Sequence, residues 1–376
     1  MNMKKVSVLL LAMTFIFALF AGCSSGSTAS STTPQTSPSA SAEATTRTIT
    51  DMLGRTVELP GVIETVAVAG SSARILTYAG CADKLVGVTD MDKKADVGMP
   101  YTIVNKDKFA SLTAVGAGGA KDTQYDEALV TLNPDVIFAN YLDAEAASEL
   151  QEKTNIPVIG LTYDGIFSDS VYAALKLVGE VMGTQNRCAT VIDGMKAYQK
   201  DLNDRTKDIA DADKPTVYAG AVSFKGGHGI EGTYGQYPPF VAINAKNVVD
   251  ETGEKSALII DKEKIVVWNP KIIFLTPLNM NLVNDDYATN PSFYDNLSAV
   301  KSGNVYSQVS YNYNGTNIEV AIVDAYYAGL VIYPDKFADI DFEKKADEIF
   351  TLMLGQTYLQ QLKDSGNNFG KITIGK

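Results

Sequence analysis

Histidine is nearly absent: His228 is the only one in 376 residues. A zinc site of the two-histidine H-E-x-x-H kind is therefore excluded. A Ser–His–Asp triad would have to use His228, and no Gly-x-Ser-x-Gly elbow occurs in the chain. No Walker A sequence is present either. Val115-Gly-Ala-Gly-Gly-Ala-Lys121 matches a dinucleotide loop only weakly, because Lys121 stands where the last glycine belongs. Nothing assembles a nucleophile, a base and an oxyanion site, so the expectation is a binding protein and not an enzyme. Positive charge is scarce too, with 32 Lys and Arg against 44 Asp and Glu. The net charge is −12, or −14 once Lys4 and Lys5 leave with an amino-terminal leader. Such acidity argues against nucleic acid, which is bound mainly by neutralising phosphates. Cysteine is rare: beyond Cys23, only Cys81 and Cys188 remain, read here as separate buried thiols, although an oxidising compartment would let them pair.

What is present starts with Lys4 and Lys5, followed by an apolar run from Val6 to Phe20. About fifteen residues suit a secretory leader and are short for a membrane span, and no later run is longer. Leu19-Phe20-Ala21-Gly22-Cys23 looks like a bacterial lipobox, with Phe20 where Leu is usual. Residues 1–22 are thus read as a signal peptide and Cys23 as the lipidated first mature residue, held by more than one acyl chain. Residues 23–46 are a Ser/Thr/Pro tether whose only charge is Glu43, too polar to fold. The protein is expected outside the cytoplasm, attached to the membrane through its lipid alone.

The body from residue 47 is long enough for two domains. It contains an internal repeat: Glu127-Ala-Leu-Val-Thr-Leu-Asn-Pro-Asp-Val-Ile-Phe138 aligns with Glu263-Lys-Ile-Val-Val-Trp-Asn-Pro-Lys-Ile-Ile-Phe274, 136 residues later. In each copy helical spacing runs up to Asn-Pro, which ends a helix. Val136–Ala139 and Ile272–Leu275 then read as short strands, apolar on both faces as in parallel sheets. Further strands are predicted near Thr65–Ala69, Leu85–Val88, Val158–Leu161, Thr216–Gly220 and Val305–Val309. Helices are predicted near Ser72–Tyr78, Ala144–Glu152 and Asn317–Leu330. Arg47–Thr50 and Thr56–Leu59 read as an opening hairpin. Trp268 and the pair Tyr326-Tyr327 are read as core. The fold class is α/β: two Rossmann-like lobes with mainly parallel sheets, at 47–167 and 212–376, joined by a long connecting helix at 168–211, with a ligand cleft between the lobes.

These features together resemble the helical-backbone class of ABC solute-binding proteins, which take ferric siderophores, haem, cobalamin and, in some members, molybdate or tungstate. The leader and tether, the paired lobes, Thr50-Asp51-Met52-Leu53-Gly54-Arg55 with Pro60, and Tyr311-Asn312-Tyr313-Asn314 before Asn317-Ile318-Glu319 carry the resemblance. It implies an ABC permease and ATPase as partners, a monomer, no cofactor and a transported small molecule. An iron complex of siderophore type leads, corrinoid or haem follows, and molybdate or tungstate is a rival. It also implies that Glu127 and Glu263 dock the lobes onto the permease. By position alone, both glutamates are equally well explained as solvated helix-start residues. A reading from another class is a cell-surface adhesion or signalling lipoprotein without a transport role.

Ligands of open α/β sheets bind beyond the carboxyl ends of the strands. In the first lobe this rule selects Ser71, Ser72, Asn140, Tyr141 and Tyr163, with the Gly116–Gly119 turn offering backbone amides. In the second lobe it selects the stretch 223–240 and residues 311–314, hence His228, Tyr234, Tyr237, Tyr311 and Asn312. The glycine-rich run 225–240 is the expected specificity element, the alternative being a mobile surface loop. A hydroxyl- and amide-rich cleft suits a metal complex or a metal oxyanion. Direct metal coordination is not expected, His228 being the one candidate ligand, since a bare cation wants clustered carboxylates or imidazoles.

Overall fold

The computed structural model describes residues 45–376. The leader at 1–22, Cys23 and the tether as far as residue 44 lie outside the described residues. The chain opens on an antiparallel hairpin of β1 (Thr46–Thr50) and β2 (Thr56–Pro60). Its turn is organised by Asp51, buried despite its charge. The Asp51 carboxylate accepts the backbone N–H groups of Leu53 and Arg55 at 3.0 and 2.9 Å and two guanidinium donors of Arg55 at 3.0 and 2.7 Å. It also accepts the N–H of Gly160 at 3.0 Å. One carboxylate thus closes the turn and fastens the hairpin to the first lobe's sheet.

That sheet contains β3 (Val66–Ala69), β4 (Leu85–Val88), β5 (Thr113–Ala114), β6 (Val136–Asn140) and β7 (Val158–Leu161). The order is β5-β4-β3-β6-β7, parallel throughout. The second lobe adds β8 (Thr216–Gly220), β9 (Gly232–Tyr234), β10 (Lys246–Asn247), β11 (Ala257–Ile259), β12 (Ile272–Leu275) and β13 (Val305–Ser307). Four of these form a parallel sheet in the order β10-β8-β12-β13, while β9 and β11 pair antiparallel beside it. The inner strands β3, β6 and β12 and the edge strand β7 are buried along their length, as strands covered by helices on both faces must be.

The sequence repeat is a structural repeat. Helices Asp126–Leu132 and Lys262–Trp268 each end on an asparagine in the left-handed region, Asn133 at φ 48° and Asn269 at φ 41°. Asparagine tolerates that conformation, and the proline that follows forbids another helical turn. The chain then drops into β6 or β12. In both copies the residue after the proline donates its N–H to a threonine carbonyl, Asp135 to Thr65 at 3.0 Å and Lys271 to Thr216 at 2.9 Å.

Residues 168–211, read from the sequence as one long connecting strut interrupted only around Gly183-Thr184, form two helices: Asp169–Met182 and Gln185–Thr206. Gly183, at φ 71°, caps the first in the left-handed region and turns the chain back. The two helices pack on each other, and the second, of 22 residues, also packs on helices of the second lobe. Helix Phe342–Leu354 returns from the second lobe to pack on Ala73–Tyr78 and Pro100–Val104 of the first. Arg187 ties this junction by donating to the carbonyls of Tyr78 and Leu352. One hydrophobic core therefore runs through both lobes, from Val66 and Phe138 to Phe274 and Phe350. Cys81 and Cys188 are buried free thiols, each in contact with the Thr184 hydroxyl.

Replacing Asp51 by Ala leaves Arg55 and three backbone N–H groups without their acceptor. Breaking a buried pair in this way should lower the unfolding free energy by about 3 kcal/mol, measured by denaturant melts. A loss below about 1 kcal/mol, the scale of an exposed pair, would show that the hairpin is fastened by other contacts.

Candidate functional site

The carboxyl ends of β3, β6 and β7 meet the second lobe along a seam, and a buried arginine lies at its centre. Asn140, just inside the end of β6, accepts the Ser71 N–H at 2.7 Å and the Ser72 hydroxyl at 3.3 Å, and donates to Ser71 Oγ at 3.0 Å. Tyr141 follows at φ 66°, with its hydroxyl 3.4 Å from Ser71 Oγ. One helical turn on, Arg74 is 1 % exposed. Its guanidinium reaches Asn317 Oδ1 at 3.1 Å, the carbonyls of Tyr313 and Asn314 at 3.2 and 2.7 Å, and Ser71 Oγ at 3.4 Å. It also lies 4.7 Å over the Tyr101 ring. A guanidinium keeps its proton even when buried, so this is a permanent positive charge in a dry seam.

Its field is compensated by two buried acids. Glu319 accepts the Tyr78 hydroxyl, and Asp92 accepts the Tyr101 hydroxyl at 2.7 Å. Burial pushes both carboxyls above their usual range, opposed by the tyrosine hydroxyls and by Arg74. Two features leave donors open toward the seam. The Tyr163 hydroxyl is buried without a protein partner, and burial pushes it up to about 12. Gly315, at φ 87°, turns its bare Cα toward the cluster. A Cβ there would stand 2.7 Å from Tyr141 Oη, 2.8 Å from Arg74 Nη1 and 3.2 Å from Ser71 Oγ. Three polar groups therefore crowd the Gly315 Cα, two of them more closely than a Cβ tolerates, which fixes glycine at 315.

Tyr234, Tyr237 and Tyr311 form an aromatic wall, with ring centroids 6.0 Å apart for Tyr234–Tyr237 and 5.6 Å for Tyr237–Tyr311. Behind it sits Asp324, which accepts the Val309 N–H at 3.1 Å through one oxygen and has no partner at the other. The neighbouring Gln308 Oε1 is likewise buried and unpartnered. Burial drives the Asp324 carboxyl well above its usual range. Near the wall, a cavity of about 590 Å³ opens between residues 166–168, the connecting helix and residues 236–242, with Phe167, Lys196 and Lys200 on its lining.

Of the residues selected from sequence, Ser71, Ser72, Asn140, Tyr141 and Tyr163 gather around Arg74, with Asn312 in the loop that crosses from the second lobe. The run 225–240 is not one element. Tyr234 and Tyr237 belong to the aromatic wall, whereas the His228 ring stacks on Phe224 at 4.1 Å and lines a different cavity of about 520 Å³ with Glu231, Lys262, Leu282 and Asp286. The Gly116–Gly119 turn does not present free amides as expected. Asp122 accepts the N–H groups of Gly70 and Gly118, and Ala117 and Gly119 donate to the carbonyls of Thr123 and Gly70. Among the described residues no group of three or more His, Cys, Asp or Glu could hold a metal, and no helix is long and apolar enough to cross a membrane. Gly315, Glu319 and Asp324 lie outside the residues selected from sequence, and Arg74 enters there only as one of the few basic residues near the cleft, with Lys121 and Lys225. Charges inside apolar helices (Arg74 in Ala73–Tyr78, Glu319 and Asp324 in Ile318–Ile332) were the signal available. Glu127 and Glu263 are both exposed, each the second residue of its repeated helix.

The periplasmic binding protein family profile matches residues 66–310. The chain is 22 % identical over 338 residues to the molybdate-binding protein MolA of Haemophilus influenzae, covering 83 % of this chain and 92 % of that one. The molybdate-bound MolA structure, that of the periplasmic binding protein of an ABC transporter, superposes with a TM-score of 0.65 at 21 % identity, covering 83 % and 99 %. A periplasmic solute binding protein from Veillonella parvula superposes with a TM-score of 0.69 at 18 % identity, covering 86 % and 97 %. The uncharacterized ABC transporter substrate-binding lipoprotein YvrC of Bacillus subtilis is 25 % identical over 148 residues, 38 % of this chain and 42 % of its own.

A raised carboxyl fixes the direction of a pH effect. As pH rises past the ordinary carboxylate range, the unfolded chain releases the Asp324 proton before the folded one does. The folded state then binds more protons, and stability falls. The carboxamide of an Asp324→Asn variant has no proton to lose. The variant should match the wild type near pH 4 and gain on it toward about pH 8, followed by thermal melts. A stability gap that stays flat over this range would mean that Asp324 is ionised in the fold.

Proposed function

This chain belongs to the periplasmic binding protein family, and from that premise we propose that it is the lipid-anchored receptor of an ABC importer, capturing a small tetrahedral metal oxyanion such as molybdate or tungstate between its lobes. The observation that carries the ligand class is the buried Arg74 guanidinium. It shares its space with the Ser71 hydroxyl, the unpartnered Tyr163 hydroxyl and the bare Cα of Gly315. Oxyanions are held by N–H and O–H donors around a fixed positive charge, and the attraction is strongest where water is excluded. The similarity to a molybdate-binding protein supports the same class.

A second reading, delivery of a chelated iron, draws on the 590 Å³ cavity beside the aromatic wall, where Phe167, Lys196 and Lys200 would suit a larger anionic complex. In either reading the lobes dock through Glu127 and Glu263, which the repeat places alike in the two halves, and Cys23 carries the anchor. The protein's own chemistry is recognition: it holds the ligand and makes or breaks no bond in it.

A thermal-unfolding panel of molybdate, tungstate, ferric siderophores, haemin and cobalamin separates the readings. Tyr163→Phe sharpens the test, since it removes a hydroxyl that stands beside Ser71 and Arg74 without a well-formed hydrogen bond to either. Its melting temperature without ligand should equal or exceed the wild type, while oxyanion affinity drops about tenfold, the scale of one charge-assisted hydrogen bond. Unchanged oxyanion affinity, or a shift with a chelate alone, overturns the oxyanion reading. Changing both Glu127 and Glu263 to Ala should abolish uptake with ligand affinity intact, and a loss of affinity would remove them from docking.

A further inference from the structure

The two repeated helices expose the same face but not the same chemistry. On Lys262–Trp268, Glu263, Val266 and Val267 stand at positions i, i+3 and i+4, one side of a helix. Val266 is 43 % and Val267 77 % exposed. In the first lobe the equivalent positions hold Glu127, Val130 and Thr131, with Val130 50 % exposed. The inward residue of each helix, Leu129 or Ile265, is fully buried, so the outward valines add nothing to either core. Valine is also a weak helix former, and nothing within the chain accounts for it at an exposed site.

We infer that Val266 and Val267 form an apolar anchor beside Glu263, and that the second lobe consequently holds the permease more tightly than the first. This rests on the reading of Glu127 and Glu263 as docking residues. The occupant is the permease surface itself: in each half a cationic socket that takes the glutamate, bordered by an apolar rim that takes the valines. Duplication of the face in both lobes fits a partner with two like halves. A membrane surface of anionic lipid would instead repel a glutamate on a protein of net charge −12. On this i, i+3, i+4 face the lobes differ at one position, Val267 against Thr131, because Val266 and Val130 correspond.

Affinity of the full-length lipoprotein for the detergent-solubilised permease–ATPase complex tests this, with ligand affinity measured on the same preparations. Val267→Thr should weaken docking about fivefold and Thr131→Val should strengthen it by a similar factor, the scale expected for burying one branched apolar group. The double change Val266→Asp and Val267→Asp should abolish docking without altering ligand affinity or melting temperature. If the double variant docks like the wild type while Glu263→Ala does not, the apolar anchor is refuted and glutamate docking survives. If Glu127→Ala and Glu263→Ala also dock normally, the docking reading itself falls.

Discussion

A charge that cannot leave its proton and cannot reach water must be surrounded by acceptors, and Arg74 imposes that requirement on both lobes at once. Its three nearest acceptors are the carbonyls of Tyr313 and Asn314 and the amide oxygen of Asn317, all from the second lobe, and Ser71 Oγ of the first lobe is the fourth. Asn317 in turn donates to the Gly98 carbonyl of the first lobe at 2.9 Å. The loop 311–317 is thus held from both sides, and its shape follows from the guanidinium it satisfies. Separating the lobes would leave buried donors and acceptors unmatched, at a cost of about 1–3 kcal/mol each if they stayed dry.

The alternating strands and helices were legible because their signals are local. Leu85–Val88, Val158–Leu161, Thr216–Gly220 and Ile272–Leu275 lie where apolar runs between turn residues put them. The repeat was legible because Asn-Pro leaves the same trace in both halves. The site was half legible. Asn140 and Ser71 follow strands, and strand ends can be read, but Arg74 is defined by partners some 240 residues away, which no spacing reveals. His228 was drawn toward the cleft by its rarity and its glycines. Its actual position is set by stacking on Phe224, four residues back, and a four-residue contact inside an irregular loop has no periodicity to betray it. The helix break at Gly183 was visible, but a left-handed residue reverses the chain, and reversal turned one expected strut into two packed helices.

Duplication explains the architecture, and divergence between the copies explains how the lobes came to differ. The Asp135 side chain accepts three donors from Glu64 and Thr65, at 2.8, 2.8 and 3.0 Å, and pins the start of β3. The side chain of Lys271, its counterpart, cannot accept, and the Lys271 N–H donates to the Thr216 carbonyl at 2.9 Å and to its hydroxyl at 3.2 Å. In the second copy Asn269 takes over part of that work, its side chain accepting from the Ser298 N–H and hydroxyl at 2.8 and 2.7 Å. The same backbone unit is therefore held by side chains that reach in different directions. Outward positions of the two helices were freed to diverge in step with whatever each lobe meets.

The helix Phe342–Leu354 has a meaning for how the protein comes to exist. Residues at the far end of the chain complete the first lobe: Arg187 holds the Leu352 carbonyl, and the Tyr358 hydroxyl donates to the Val97 carbonyl at 2.8 Å. A chain emerging amino terminus first must deliver some 350 residues before helix Ala73–Tyr78 is covered. Contacts so distant in sequence make folding slow and late. The final segment to arrive is the one that seals the first lobe.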